Sequence, residues 1–65
     1  MISVILNDRE TELEEGVSVS ALLEQRKMAK AAVWINGRQL KRAEYADWRI
    51  QPGDQIKLLR IVAGG

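Results

Sequence analysis

The sequence predicts an α+β domain, a mixed sheet with one main helix crossing one face, and three observations carry that prediction. Apolar segments with a period of two stand near both ends of the chain, at Met1 to Leu6 and at Ile56 to Val62. Between them one stretch, Val17 to Arg26, changes to a period of about 3.6. The periodic segments are separated by turn chemistry at Asn7-Asp8, Asn36-Gly37 and Gln51-Pro52-Gly53-Asp54.

Taken in order, Met1 to Leu6 puts Ile2, Val4 and Leu6 on one wholly apolar face, and Met1, Ser3 and Ile5 on the other. Asn and Asp tolerate left-handed backbone, so Asn7-Asp8 turns the chain into a short second strand, about Glu10 to Leu13. Glu10 and Glu12, with Glu14, share one face there, the charged signature of an edge strand. After Glu15-Gly16, Val19, Leu22 and Leu23 form the apolar stripe of the helix. Ser18 is the favoured N-cap and Ser20 the alternative; with no base nearby, capping outweighs any nucleophilic role for either.

Lys27 to Lys30 leads out of the helix into the strand Ala32 to Ile35, followed by Asn36-Gly37, the strongest hairpin signal in the chain, and a return strand Arg38 to Lys41. Val33 and Ile35 face one side and Trp34 the other, where it either packs in the core or covers an exposed sheet surface that awaits a partner. Arg42 to Ile50 holds Tyr45 and Trp48 at helical spacing, which reads as a turn tucking aromatics under the sheet; core anchoring outweighs base stacking beside Arg42 and Arg49. Gln51 to Asp54 has the residues of a type II turn. The last strand, Ile56 to Val62, puts Ile56 and Leu58 on one face and Leu59 and Ile61 on the other, and such two-sided strands lie centrally. The first and last strands are therefore expected to pair in parallel in mid-sheet, a β-grasp arrangement. Its face away from the helix offers Ile5, Trp34, Leu59 and Ile61 as an apolar docking patch, with the reverse assignment of faces left open.

Composition narrows the function. A chain of 65 residues makes one small core, read as residues 1–62 with 63–65 as a tail. Without cysteine or histidine there are no disulfides, thiolate nucleophiles, histidine general bases or Cys/His zinc sites, and a chain this short can hardly wall off a substrate pocket. No enzymatic activity and no metal are expected. No segment approaches the ~20 apolar residues of a membrane span and no leader is evident, so the expectation is a soluble, cytoplasmic protein, monomeric on its own. Net charge is +1, yet acidic residues dominate before residue 26 and basic ones outnumber acidic nine to three from Arg26 onward. Such asymmetry more often mixes on a solvated surface than marks a nucleic-acid face, and no nucleic-acid binding is expected.

The final residues, Ala63-Gly64-Gly65, carry the functional signal. Two terminal glycines arise by chance in about 0.5% of chains, and with no following element they connect nothing. Lacking Cβ atoms, such an arm can enter a channel too narrow for other residues. A terminal carboxylate is ionised at neutral pH and can attack an activated phosphate as an oxygen nucleophile.

Together, Gly16-Val17-Ser18-Val19 before Leu22-Leu23, then Val33-Trp34-Ile35-Asn36-Gly37, Gly53-Asp54-Gln55-Ile56 and Ile61-Val62-Ala63-Gly64-Gly65, resemble the ThiS family of sulfur carriers over the whole chain. The resemblance implies a ubiquitin-like β-grasp fold. It implies that the Gly65 carboxylate is adenylated by an E1-like enzyme of ThiF type using ATP and magnesium, with no cofactor bound to the carrier itself. A sulfur-donating enzyme would then convert the adenylate to a thiocarboxylate, offered to a thiazole synthase of ThiG type. Ala63, Gly64 and Gly65 would enter the partner active sites. The chain departs from the family pattern at Lys41, where proline before Arg42 is common, and at Tyr45, where tryptophan is expected; both bear on partner preference rather than chemistry. A molybdopterin-synthase small subunit or a ubiquitin-like modifier would share the fold and the glycines. A nucleic-acid-binding β-grasp module would need no terminal glycines.

Overall fold

A computed structural model describes residues 1–60. Five strands, β1 (Ile2–Leu6), β2 (Arg9–Leu13), β3 (Ala32–Ile35), β4 (Arg38–Gln39) and β5 (Gln55–Leu59), form one mixed sheet in the order β2-β1-β5-β3-β4. The first and last strands pair in parallel at its centre, and antiparallel hairpins flank them. Both hairpins turn through left-handed backbone, at Asn7 and Asp8 (φ 49° and 67°) and at Asn36 and Gly37 (φ 52° and 86°). Two consecutive positive φ angles match the right-handed twist of the strands, which is why these residue types stand there. The ubiquitin-like β-grasp reading thus holds, with α1 (Val19–Gln25) contributing to a core against one face.

The first two strands fall within a residue of expectation, and β4 and β5 depart from it further. The return strand after Asn36-Gly37 stops at Gln39 rather than Lys41, because Leu40 turns into the core and Lys41 enters a 3-10 turn, Arg42–Glu44. The last strand begins one residue early, at Gln55, whose amide donates to Asn36 Oδ1 at 2.9 Å, and Arg60 already lies outside it. The expected continuation through Ile61 and Val62 lies outside the described residues, as does the division between domain and tail.

Seven residues are too few for a stable isolated helix, so α1 depends on tertiary contacts. Val19, Leu22 and Leu23 are buried, and Ser18 caps the helix by accepting from the Ala21 amide at 3.1 Å. The two amides before it, Val19 and Ser20, donate to the Trp48 and Tyr45 carbonyls, each at 3.0 Å. The helix is shorter than Val17 to Arg26 because Val17 and Ser18 face the other way, toward the Arg49–Ile50 segment: the Ile50 amide donates to Val17 at 2.9 Å and Ser18 forms a bridge with Arg49. At its C-terminus Met28 donates to Leu23 and Lys27 to Glu24, the Schellman pattern, with Lys27 at φ 56° where glycine is usual.

The core joins that stripe to Ile2, Val4, Val33, Ile35, Ile56 and Leu58, all from the inward face of the sheet. Six residues outside any strand or helix, or on the edge strand, join it: Leu13, Val17, Ala31, Leu40, Tyr45 and Ile50. Tyr45 is the aromatic anchor, donating its hydroxyl to the Ala31 carbonyl at 3.2 Å, and Trp48 is half-buried with the Arg38 guanidinium 5.7 Å from its ring centre. The buried Tyr45 ring is not free to stack on a base. Among the described residues no helix is long and apolar enough to cross a membrane.

Candidate functional site

Strand alternation builds the site. With Val4, Leu6, Val33, Ile35, Ile56 and Leu58 turned to the helix side, the intervening residues of β1, β3 and β5 must face outward. Ile5, Trp34 and Leu59 accordingly line one open groove of about 580 Å³ on the helix-free face. Three of the four residues expected to dock a partner are thus brought together; the fourth, Ile61, lies outside the described residues. The open assignment of faces resolves in favour of this one.

The three are not equally available. Ile5 and Trp34 are half-buried, whereas Leu59, a large apolar side chain on a central strand, is 55% exposed. Its antiparallel partner is Ala32. Trp34 stands opposite Lys57, and Ile5 lies between Gln55 and the edge-strand Glu10. An apolar centre with charged margins is the usual anatomy of a protein interface.

The sequence reading missed Asn7, Asp8, Gly37, Gln55 and Lys57, which also line the groove. Asn7 had been taken only as a turn former. Its amide donates to Ile56 at 2.9 Å, and its side-chain Oδ1 accepts from the Leu58 amide at 2.9 Å. The backbone ladder between β1 and β5 ends at Leu6–Ile56, so the Asn7 side chain supplies the next acceptor where β1 turns away. The last residues of β5 are thereby held against the sheet. The signal in the sequence was an asparagine directly after an apolar strand, which a hairpin alone already explains.

Ala63, Gly64 and Gly65, expected to enter partner active sites, lie outside the described residues. The two departures from the family pattern acquire structural reasons. The Lys41 amide donates to Glu44 Oε1 at 2.8 Å, a bond proline could not make, and Tyr45 is buried. Lys41 thus serves the 3-10 turn and Tyr45 the core, and neither lines the groove.

The profile of the ThiS family matches residues 3–65. The chain is 36% identical over 66 residues to the sulfur carrier protein ThiS of Escherichia coli (strain K12), covering 98% of this chain and all of that one. Among solved structures, the crystal structure of the thiamine biosynthesis protein ThiS from Geobacter metallireducens superposes with a TM-score of 0.82 at 25% identity, over 98% of this chain and all of the other. A solution NMR structure of a thiamine biosynthesis protein from the same organism gives 0.80 at 25% identity, over 98% of this chain and 88% of the other. A profile match across all but two residues, on the same arrangement of strands and helix, leads to one conclusion: the chain belongs to the ThiS family, the family of the Escherichia coli sulfur carrier protein.

Proposed function

We propose that this protein is a non-catalytic sulfur carrier serving thiamine biosynthesis in the cytoplasm, with the Gly65 carboxylate as its working group. The observation that supports this is the family match running through Gly65, on a fold whose central strand leads toward that end. A carboxylate is a poor acyl donor because its leaving oxygen is strongly basic. An E1-like enzyme of ThiF type removes that obstacle with ATP and magnesium: a Gly65 oxygen attacks the α-phosphorus, pyrophosphate leaves, and an acyl adenylate forms. A sulfur nucleophile from a donating enzyme then attacks the carbonyl carbon and expels AMP. Where that nucleophile is a donor persulfide, a reducing thiol cleaves the S–S bond of the resulting acyl disulfide and is itself oxidised to a disulfide, so that Gly65 ends in a thiocarboxylate whose tethered sulfur goes to a thiazole synthase of ThiG type.

The carrier needs no catalytic side chain for these steps and binds no cofactor of its own. Its tasks are to dock through Ile5, Trp34, Leu59 and Ile61 and to present Ala63, Gly64 and Gly65 to a narrow channel. The test is intact-mass measurement after incubation with the E1-like enzyme, ATP, magnesium and a sulfur source. The expected result is an adenylate, then replacement of one oxygen by sulfur, both on the C-terminal peptide. One residue added after Gly65 is expected to abolish activation and Gly64→Val to impair it severely, since orientation at a reacting centre contributes on the order of 7–11 kcal/mol. Adenylation of the extended chain at the wild-type rate would refute the mechanism.

A further inference from the structure

A second surface, separate from the groove, stands at the end of the sheet where β5 finishes and β3 begins. Lys27, Lys30 and Arg60 line one shallow depression with Met28 and Ala31, and the Arg42 guanidinium donates to the Lys30 carbonyl at 3.4 Å, bringing a fourth cation to the same place. Among the described residues none of these four forms an ion pair; the one that occurs is Arg38–Glu44. A cation at the end of a helix can answer the helix dipole, but that effect fades within the last turn and does not account for Lys30, Arg42 or Arg60.

Lys27 occupies the left-handed position of the Schellman motif at φ 56°, where glycine would sit without strain, and its charge answers the helix dipole as well as joining the depression. Charge elsewhere on the molecule is arranged against it. Glu10 and Glu12 lie on the edge strand β2, paired with Ile5 and Ser3 and hence on the groove side of the sheet. The segregation of charge along the chain therefore becomes segregation in space, with an acidic margin at the β2 edge and a basic collar beside the residue that follows β5.

We infer that the collar of Lys27, Lys30, Arg42 and Arg60 docks on an acidic protein surface beside the channel of the adenylating partner, steering the carrier so that its tail faces the channel mouth. The inference rests on the carrier reading above and adds the chemistry of the partner surface. Arg60 is the last described residue before the tail, so a partner surface that engages it must flank the route the tail takes. Opposite charges at the two margins of the carrier favour one orientation over its reverse, and complementary fields of this kind act mainly on the rate of encounter.

The test uses the full chain and its E1-like enzyme, with association rates followed across ionic strength. Reversing two cations, Lys30→Glu with Arg60→Glu, is expected to slow association about tenfold at low salt and to flatten its salt dependence, while the adenylation rate at saturation stays unchanged. Lys30→Gln with Arg60→Gln should give a smaller effect of the same kind. Arg9→Glu with Arg49→Glu makes the same change in net charge away from the depression, on the edge strand β2 and beside the helix N-cap, and should slow association much less. Equal slowing by both reversals, or none by the collar variant, would overturn the collar while adenylation of the wild type still upheld the carrier. A wild-type chain that is not adenylated would defeat the carrier reading and the collar with it. Binding of an RNA oligomer through the same residues near physiological salt would overturn the protein-docking assignment.

Discussion

The two faces of the central strands are built from alternate residues of the same few segments, yet they do opposite things. On the inward face Val4, Val33 and Ile56 are almost wholly buried against α1. On the outward face Leu59, next in sequence to buried Leu58, is left 55% exposed beside Ile5 and Trp34. The difference is not one of hydrophobicity, since both faces offer large aliphatic side chains. It arises because, among the described residues, a single α-helix packs on the sheet, and that helix covers one side. A domain of 65 residues thus has one face that stabilises it and another whose apolar area gains nothing until a partner covers it.

Substitutions should divide along that line, and they can be ranked by expected loss of folding stability. Leu22→Ala removes a fully buried side chain at the centre of the helix stripe and should cost about 2–5 kcal/mol, enough to leave so small a domain largely unfolded in denaturant titration. A loss below about 1 kcal/mol would mean the inward face is not the stabilising one.

Asn7→Gly probes the boundary between the faces. Glycine keeps the positive φ, so what is lost is the acceptor for the Leu58 amide, expected to cost about 1 kcal/mol. Hydrogen exchange of the Leu58 amide should rise in this variant, and Asn7→Asp, which retains an acceptor oxygen, should recover most of the protection. Unchanged exchange in Asn7→Gly would show that β5 is held without the side chain.

Leu59→Thr, on the outward face, preserves strand propensity and should shift stability by no more than about 0.5 kcal/mol. Its effect belongs to binding, where loss of a central apolar contact should weaken association with the adenylating enzyme about tenfold, as measured by calorimetry. If it unfolds the protein instead, the contrast between faces fails. Removal of Gly64 and Gly65 should change the thermal midpoint least of all, because every buried residue identified precedes them. A drop of several degrees would give the glycines a structural role.

Much of this was legible because it is written in local periodicity. The alternation of Ile2, Val4 and Leu6, the stripe of Val19, Leu22 and Leu23, and the turns at Asn7-Asp8 and Asn36-Gly37 each follow from short-range sterics that neighbouring residues decide. From them came the succession of elements, the parallel central pair and three members of the groove. The resemblance carried by the terminal Gly64-Gly65 and the segments before it pointed to the family.

Tertiary structure decided what depends on residues far apart in the chain. The amides of Val19 and Ser20 are satisfied by carbonyls of Trp48 and Tyr45, the Leu58 amide by Asn7, and the charges of Lys27, Lys30, Arg42 and Arg60 converge from three separate segments. Periodicity cannot reveal such contacts, because it records which face a side chain takes and not which distant group meets it there. The sequence by itself therefore determined the elements and their apolar faces, whereas packing decided which polar groups complete one another, since a buried amide must find an acceptor wherever the fold brings one within reach.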